Sequence, residues 1–360
     1  MTATTSSAVS TAREGAGTVL EVTDLKKHFR ASQGIGGGGG LVYAVDGVSL
    51  SIGRGEVLGL VGESGSGKST VGRCIMRLLE PTSGTVRLNG VDVTGLSRRQ
   101  MRPLRREMHM VFQDPYSSLN PRMTAGQIVE EPLRLHGVAR GSEAEDRVSD
   151  LFEKVGLGAQ MRFRYPHELS GGQRQRIGLA RALVLQPSLI IADEPVSALD
   201  VSVQASIINL LMDLQQDMGF SCLFITHALS AVEFIADRVA VMYLGKIVEE
   251  APREELFASP KHPYTQALLS AVLAPDPRAQ RERQRVVLPG DIPSPLAPPS
   301  GCSFHTRCPV VEPQNKVEEP QLRRVGHAEH WVRCHLVDDD GRAPDILQAT
   351  SEEPHDHDPT

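Results

Sequence analysis

Gly62-Glu63-Ser64-Gly65-Ser66-Gly67-Lys68-Ser69 decides the fold. The stretch has the spacing GxxxxGK[ST], and its flanks are the ones that spacing requires. Before it, the apolar run Val57-Leu58-Gly59-Leu60-Val61 suits a buried strand. After it, Val71, Cys74, Ile75, Leu78 and Leu79 recur at helical spacing until Pro81-Thr82-Ser83-Gly84 marks the stop. In a strand, glycine loop and helix of this kind, successive backbone N–H groups turn inward as an anion nest. The helix N-terminus adds the positive end of its dipole. Lys68 would reach the β and γ phosphates of a nucleotide, the Ser69 hydroxyl would ligate Mg²⁺, and Thr70 belongs to the same phosphate-binding turn. Average residue frequencies give such a match by chance in about 2% of chains this long. Taken alone, the loop predicts a nucleotide phosphate binder and no more.

The rest of the chain predicts the same architecture. Leu189-Ile190-Ile191-Ala192 reads as a second buried strand, followed by a helix with Ile207, Leu210, Leu211 and Leu214 on its apolar face. Gly219 breaks that helix, and Cys222-Leu223-Phe224-Ile225 reads as a third strand. Strands alternating with helices imply an α/β fold with a mostly parallel sheet covered on both faces. Residues from about 115 to 185 look mainly helical, as an inserted subdomain would. The glycine run Gly34–Gly40 cannot pack a core and predicts a flexible loop between two short strands. Residues 1–18 predict a disordered tail, 259–336 a proline-rich C-terminal extension, and 337–360 a solvated acidic tail.

Bulk properties exclude several classes. The 360 residues are 40% hydrophobic with a formal charge of -6, enough apolar content for a core and no basic excess to gather nucleic acid. No apolar run approaches the roughly 20 residues of a membrane-spanning helix. The first residues lack the apolar stretch of a secretory signal, so the protein is expected in the cytosol. Of five cysteines, Cys74 and Cys222 sit in apolar patterns and are expected to be buried.

Two further motifs carry chemistry. Asp193 and Glu194 stand at the end of an apolar strand, where side chains emerge beside the nucleotide crevice of such sheets. Asp193 suits a position just behind the Mg²⁺ ligands, and Glu194 a general base that polarises the attacking water. Leu169-Ser170-Gly171-Gly172-Gln173 opens another helical pattern and puts Ser and Gly donors at its N-terminus. One nucleotide cannot readily use both phosphate-facing motifs.

Gly62 to Ser69, Gln113, Leu169 to Gln173, Asp193-Glu194, Ser197-Ala198-Leu199-Asp200 and His227 resemble, in order, the motifs of ABC ATPases. The resemblance covers residues 19–258. It implies a P-loop NTPase (RecA-like) core with an antiparallel β subdomain, an inserted helical subdomain and a small C-terminal extension. It also implies ATP and Mg²⁺ as ligands, and two such domains facing head to tail. Each ATP then lies between one domain's phosphate loop and the other's Ser170–Gln173 motif, which accounts for both. The resemblance further implies that Gln113 touches Mg²⁺ and the attacking water, that Asp200 connects the half-sites, and that His227 holds the γ-phosphate. Phe29 matches the aromatic that stacks on adenine, with Tyr43 as its rival.

Phe112-Gln113-Asp114-Pro115, Ser117 to Arg122, His262-Pro263-Tyr264-Thr265-Gln266-Ala267-Leu268-Leu269 and Gly301 to Pro309 resemble the ATPase subunits of oligopeptide and dipeptide importers. Nickel, glutathione and oligosaccharide importers share these features. The resemblance implies a companion ATPase subunit in a heterodimer, two transmembrane permease subunits, an extracytoplasmic peptide-binding protein, and a place on the cytoplasmic face of the cell membrane. In that subfamily the extension often has four cysteines suited to an iron–sulfur cluster. Here Cys302, Cys308 and Cys334 match, while Asn315 takes the place of the fourth. An incomplete cluster, substitution by His305, His327, His330 or His335, and loss of the site all stay open. A soluble ABC ATPase acting on DNA or ribosomes is the rival class; a second ATPase domain, a long coiled coil or a basic arm would mark it, and none is visible.

Overall fold

The computed structural model describes residues 17–30, 40–197, 199–272 and 286–346. The chain divides into two compact units. The first comprises Met1–Leu25, Ser49–Gly59 and Ser69–Thr226; the second comprises Lys26–Val48, Leu60–Lys68 and His227–Thr360. The expected glycine loop lies, but for Gly40, outside the described residues, as do most of the N-terminal tail and residues 347–360.

The first unit is built on parallel strands. Numbered in chain order, β6 (Met108–Val111) pairs with β7 (Leu189–Asp193) from Met108 opposite Leu189 to Val111 opposite Ala192. β7 pairs in turn with β8 (Ser221–Thr226), and β8 neighbours β3 (Val57–Val61). β3, β7 and β8 are buried along their whole length, as strands covered on both faces must be. The helix Val201–Met218 buries Ile207, Leu210, Leu211 and Leu214 and stops at Gly219, which takes a left-handed conformation (φ 69°). The predicted strand, helix, break and strand are therefore present in order.

The helix after the phosphate loop is shorter than its apolar period predicts. It runs Lys68–Ile75, and Leu78 is 46% exposed. Arg77 turns to a φ of 52°, and the N–H groups of Leu78 and Leu79 both donate to the Arg73 carbonyl. This is a left-handed cap that satisfies a terminal carbonyl and ends the helix one turn early.

An antiparallel sheet has the order β2-β1-β4-β5, in which β4 (Ser83–Leu88) and β5 (Val91–Asp92) form a hairpin. β1 (Thr18–Arg30) and β2 (Leu41–Gly53) have 13 residues each, longer than the short strands expected on either side of the glycine run. Between β6 and β7 the chain is helical: Pro115–Ser118, Ala125–His136, Ser142–Lys154 and Gly171–Leu183.

The second unit holds an antiparallel run of strands that the sequence did not reveal. β9 (Arg238–Tyr243) pairs with β10 (Lys246–Pro252), and β10 pairs with β12 (His330–Val332), which pairs with β11 (Arg323–Val325). Strands of three residues are too short for a period-two pattern to register. The solvated tail expected from 337 also starts later. Val337 is buried with Val325, Val332 and Cys334, and Ile346 is buried with Ala267 and Val286.

Glu249, on β10, is fully buried and organises this region. Its carboxylate accepts from the backbone N–H of Lys261 (2.6 Å) and of His262 (2.9 Å), and pairs with Nε2 of His330 on β12 (2.7 Å). Glu249→Ala would strand three partners at once, two of them buried, so it should cost about 3 kcal/mol of stability, with Glu249→Gln costing less. Trp331, the only tryptophan, sits on β12 and reports the loss directly as a lowered urea midpoint in its fluorescence.

Candidate nucleotide site

In the second unit, the phosphate loop follows a path open only to glycine at its two ends. Gly62 has φ 155°, and a Cβ there would lie 2.2 Å from the Met242 carbonyl oxygen. Gly67 has φ 105°, and its Cβ would lie 2.1 Å from the Ala44 carbonyl oxygen. The loop is thus pressed against backbone at both ends, while Ser64 and Gly65 at its crown are exposed. Ser66 is buried, and its carbonyl accepts from Gly245 N–H. Lys68 is only 4% exposed, and its ammonium donates to the carbonyls of Gly62 (2.8 Å) and Glu63 (2.9 Å). Phe29 and Tyr43, the two candidate adenine platforms, are both partly buried. The Lys27 ammonium lies 4.9 Å from the Phe29 ring centre, and the His28 ring lies 4.5 Å from that of Tyr43. His227 directly follows β8 and is exposed.

In the first unit, four predicted residues come together. The Ser69 hydroxyl donates to Oδ1 of Asp193 at 2.6 Å, and Asp193, last in β7, is 1% exposed. Its neighbour Glu194 has a φ of 47°, unusual for a residue with a side chain, and is held there by its N–H bond to the Ile225 carbonyl. That turn lifts the Glu194 carboxylate toward Gln113, whose Nε2 donates to Oε2 at 3.3 Å. The oxygens of Ser69, Asp193 and Gln113 are hard donors of the kind Mg²⁺ selects. That ion takes few protein ligands and keeps water and phosphate oxygens. The residues present therefore fit the group.

Ser170 is the N-cap of the helix Gly171–Leu183. Its hydroxyl accepts from Gln173 N–H (3.3 Å), and its own N–H donates to the Gln173 side-chain oxygen (2.9 Å). The Ser-x-x-Gln spacing is the sequence signal of this reciprocal capping. Gly171 and Gly172 lie against Leu199 and Val203, where a Cβ would come within 3.2 Å and 2.8 Å. Asp200 is the exposed N-cap of Val201–Met218, and its carbonyl accepts from Val203 and Gln204.

The three C-terminal cysteines do not fit an iron–sulfur cluster. Asn315 stands where a fourth thiolate would be needed: its carbonyl accepts from Cys302 N–H, and its side-chain oxygen accepts from Glu312 N–H. Three of the four substitute histidines have a ring nitrogen already engaged: His305 with the Cys302 carbonyl, His330 with Glu249, and His335 with the Glu318 carbonyl. Among the described residues no group of three or more His, Cys, Asp or Glu is arranged to hold a metal ion.

Residues 45–197 match the family model described as ABC transporter, and residues 248–314 match that of the oligopeptide/dipeptide transporter C-terminal region. The chain is 53% identical over 320 residues to a putative peptide import ATP-binding protein of Brucella ovis, covering 88% of this chain and 98% of that one. It is 51% identical over 321 residues to the oligopeptide transport ATP-binding protein AppF of Bacillus subtilis, covering 89% and 97%. The chain belongs to the ABC transporter ATP-binding family. Among solved structures, the cassette resembles the dimeric bacterial ABC transporter cassette MJ0796, with 30% identity, a TM-score of 0.59, and coverage of 65% of this chain and 98% of that one. It is a mixed α/β ATPase of the P-loop class.

Burial raises the thiols of this ATPase. Cys222 and Cys334 are pushed up to about 12 and Cys308 to about 11. All three stay protonated at neutral pH and make poor nucleophiles. Iodoacetamide at pH 7.5 should therefore label them slowly in the native protein and fast in urea, as read by mass spectrometry of the modified peptides.

Proposed function

We propose that the chain is the ATP-hydrolysing subunit of an ABC importer for di- or oligopeptides. In this reading, two cassettes close head to tail on ATP, and hydrolysis resets them. The observation that carries it is the contact set of Ser69 with Asp193 and Gln113 with Glu194. The names of the relatives and the match at residues 248–314 support the peptide.

Lys68 and the N–H groups of Gly62 to Thr70 would bind the ATP phosphates, and Phe29 would stack on the adenine. Ser69, Gln113 and Asp193 would hold Mg²⁺, which when bound supplies positive charge against the β and γ phosphate oxygens. Glu194 would accept a proton from water as the water oxygen bonds to the γ-phosphorus, and the bond from that phosphorus to the β–γ bridging oxygen breaks, leaving ADP and phosphate. His227 would orient that water. Ser170, Gly171, Gly172 and Gln173 would serve the nucleotide held by the other cassette, and Asp200 would link the two half-sites.

A companion ATPase subunit, two permease subunits and an external peptide-binding protein complete the assembly, which would hold this chain at the cytoplasmic face of the membrane. Among the described residues no helix is long and apolar enough to cross it. Tyr116 and Phe163, 61% and 71% exposed in the helical segment, offer apolar surface for the permeases. No iron–sulfur cluster enters this reading.

Glu194→Gln keeps the side-chain shape and removes the base, so steady-state hydrolysis by the reconstituted transporter should fall at least about 100-fold with ATP binding retained. Short peptides delivered with the binding protein should stimulate the wild-type rate and leave the variant unstimulated. An undiminished rate in Glu194→Gln would refute the general-base assignment, and stimulation by a sugar or metal chelate alone would remove the peptide.

A further inference from the structure

We infer that Arg307 and Tyr264, from the C-terminal region, are positioning residues that hold the phosphate loop through Glu63. The inference rests on the loop's proposed role in binding ATP phosphates. Glu63 is the loop's second residue, and all three of its polar groups are engaged. Its N–H donates to the Tyr264 hydroxyl at 3.0 Å. Its carboxylate receives both ends of the Arg307 guanidinium, at 2.8 Å from Nη1 and 3.3 Å from Nη2. Its carbonyl accepts from the Lys68 ammonium. The two outer residues therefore set the orientation of the peptide unit to which the phosphate-binding lysine is tied.

The clasp is built as a rigid site. Tyr264 is fully buried and Arg307 is 7% exposed. Tyr264 packs against Tyr243 with ring centres 4.7 Å apart, and Phe304 meets Tyr243 edge-on at 5.3 Å and Tyr264 at 5.5 Å. The Tyr264 N–H donates to Nδ1 of His262 at 3.0 Å. Burial pushes His262 down to about 4, so its ring is the neutral acceptor this bond needs. The His262 N–H is held in turn by Glu249. A continuous run of hydrogen bonds thus leads from β10 through His262 and Tyr264 to the loop. A nearly buried, two-pronged guanidinium–carboxylate pair is stiff and directional, and losing one partner leaves the other charge uncompensated. Without Arg307, the Glu63 carboxylate would also stand as a free anion in a loop that binds phosphates.

The test uses the full chain with Mg²⁺ and a fluorescent ATP analogue, followed by ATP titration of the reconstituted transporter. Arg307→Met should weaken analogue binding about tenfold, the scale of one charge-assisted bond, and raise KM for ATP while kcat at saturation changes less than twofold. Arg307→Lys should recover most of the affinity. Tyr264→Phe, which removes only the accepting oxygen, should raise KM with kcat kept. Glu63→Gln/Arg307→Met should bind no more weakly than Arg307→Met alone. If the wild type binds and Lys68→Ala abolishes binding, while Arg307→Met and Tyr264→Phe bind normally or lose only kcat, the clasp is refuted and the loop reading stands. A double variant as weak as the product of its singles would refute it equally. Should Lys68→Ala bind like the wild type, the loop reading itself fails.

Discussion

Lys68 carries an ammonium into a place where the residue is 4% exposed, and a charge so placed costs several kcal/mol unless it is paired. Its partners include carbonyls of its own loop, Gly62 and Glu63, and Gly62 turns where a Cβ would strike the Met242 carbonyl. Much of the second unit is arranged around that requirement. β9 presents Met242 to one end of the loop, the turn at Gly245 bonds Ser66, and the Ala44 carbonyl closes the other end. The cation thus has oxygen partners within its own loop. A phosphate would compete with neutral carbonyls for that cation, and a doubly charged oxyanion wins such a contest on electrostatics.

In the first unit, the residue proposed to do the chemistry shares a left-handed φ with Asp24, Arg77, Asn89 and Gln186. Glu194 leaves β7 with a left-handed φ that costs of order 1 kcal/mol for a residue with a Cβ. Its N–H donates to the Ile225 carbonyl, its own carbonyl accepts from the Ser197 N–H and hydroxyl, and its carboxylate accepts from Gln113. The carboxylate leaves the sheet at an angle an extended strand end would not provide, beside the Asp193 that Ser69 fixes.

What could be read in the sequence is what depends on neighbours in the chain. The loop, the two buried strands Leu189–Asp193 and Ser221–Thr226, the helix with Ile207 and Leu214, and the Gly219 stop are all set by local period and local backbone preference. Asp193 and Glu194 were legible because a strand end is itself a local signal. Hidden features depend on distant partners or break the period. β11 and β12 are strands only because β10 offers an edge, and Arg77 ends a helix whose apolar period runs on. Ile346 looked like tail and is buried because Ala267 and Val286 form a pocket for it. The pairing of Arg307 with Glu63 spans 244 positions, and no window along the chain contains both.

The segment around Cys302 is held by hydrogen bonds and packing among its own residues. Asn315 accepts from Cys302 N–H through its carbonyl and from Glu312 N–H through its side chain, so the turn that brings it beside Cys302 is held by hydrogen bonds. Cys334 packs with Val325, Val332 and Val337 as a small apolar side chain. Within the same segment Phe304 braces Tyr264 and Arg307 grips Glu63. Residues 301–309 thus retain a structural task at the phosphate loop whatever happens to Cys302 and Cys308.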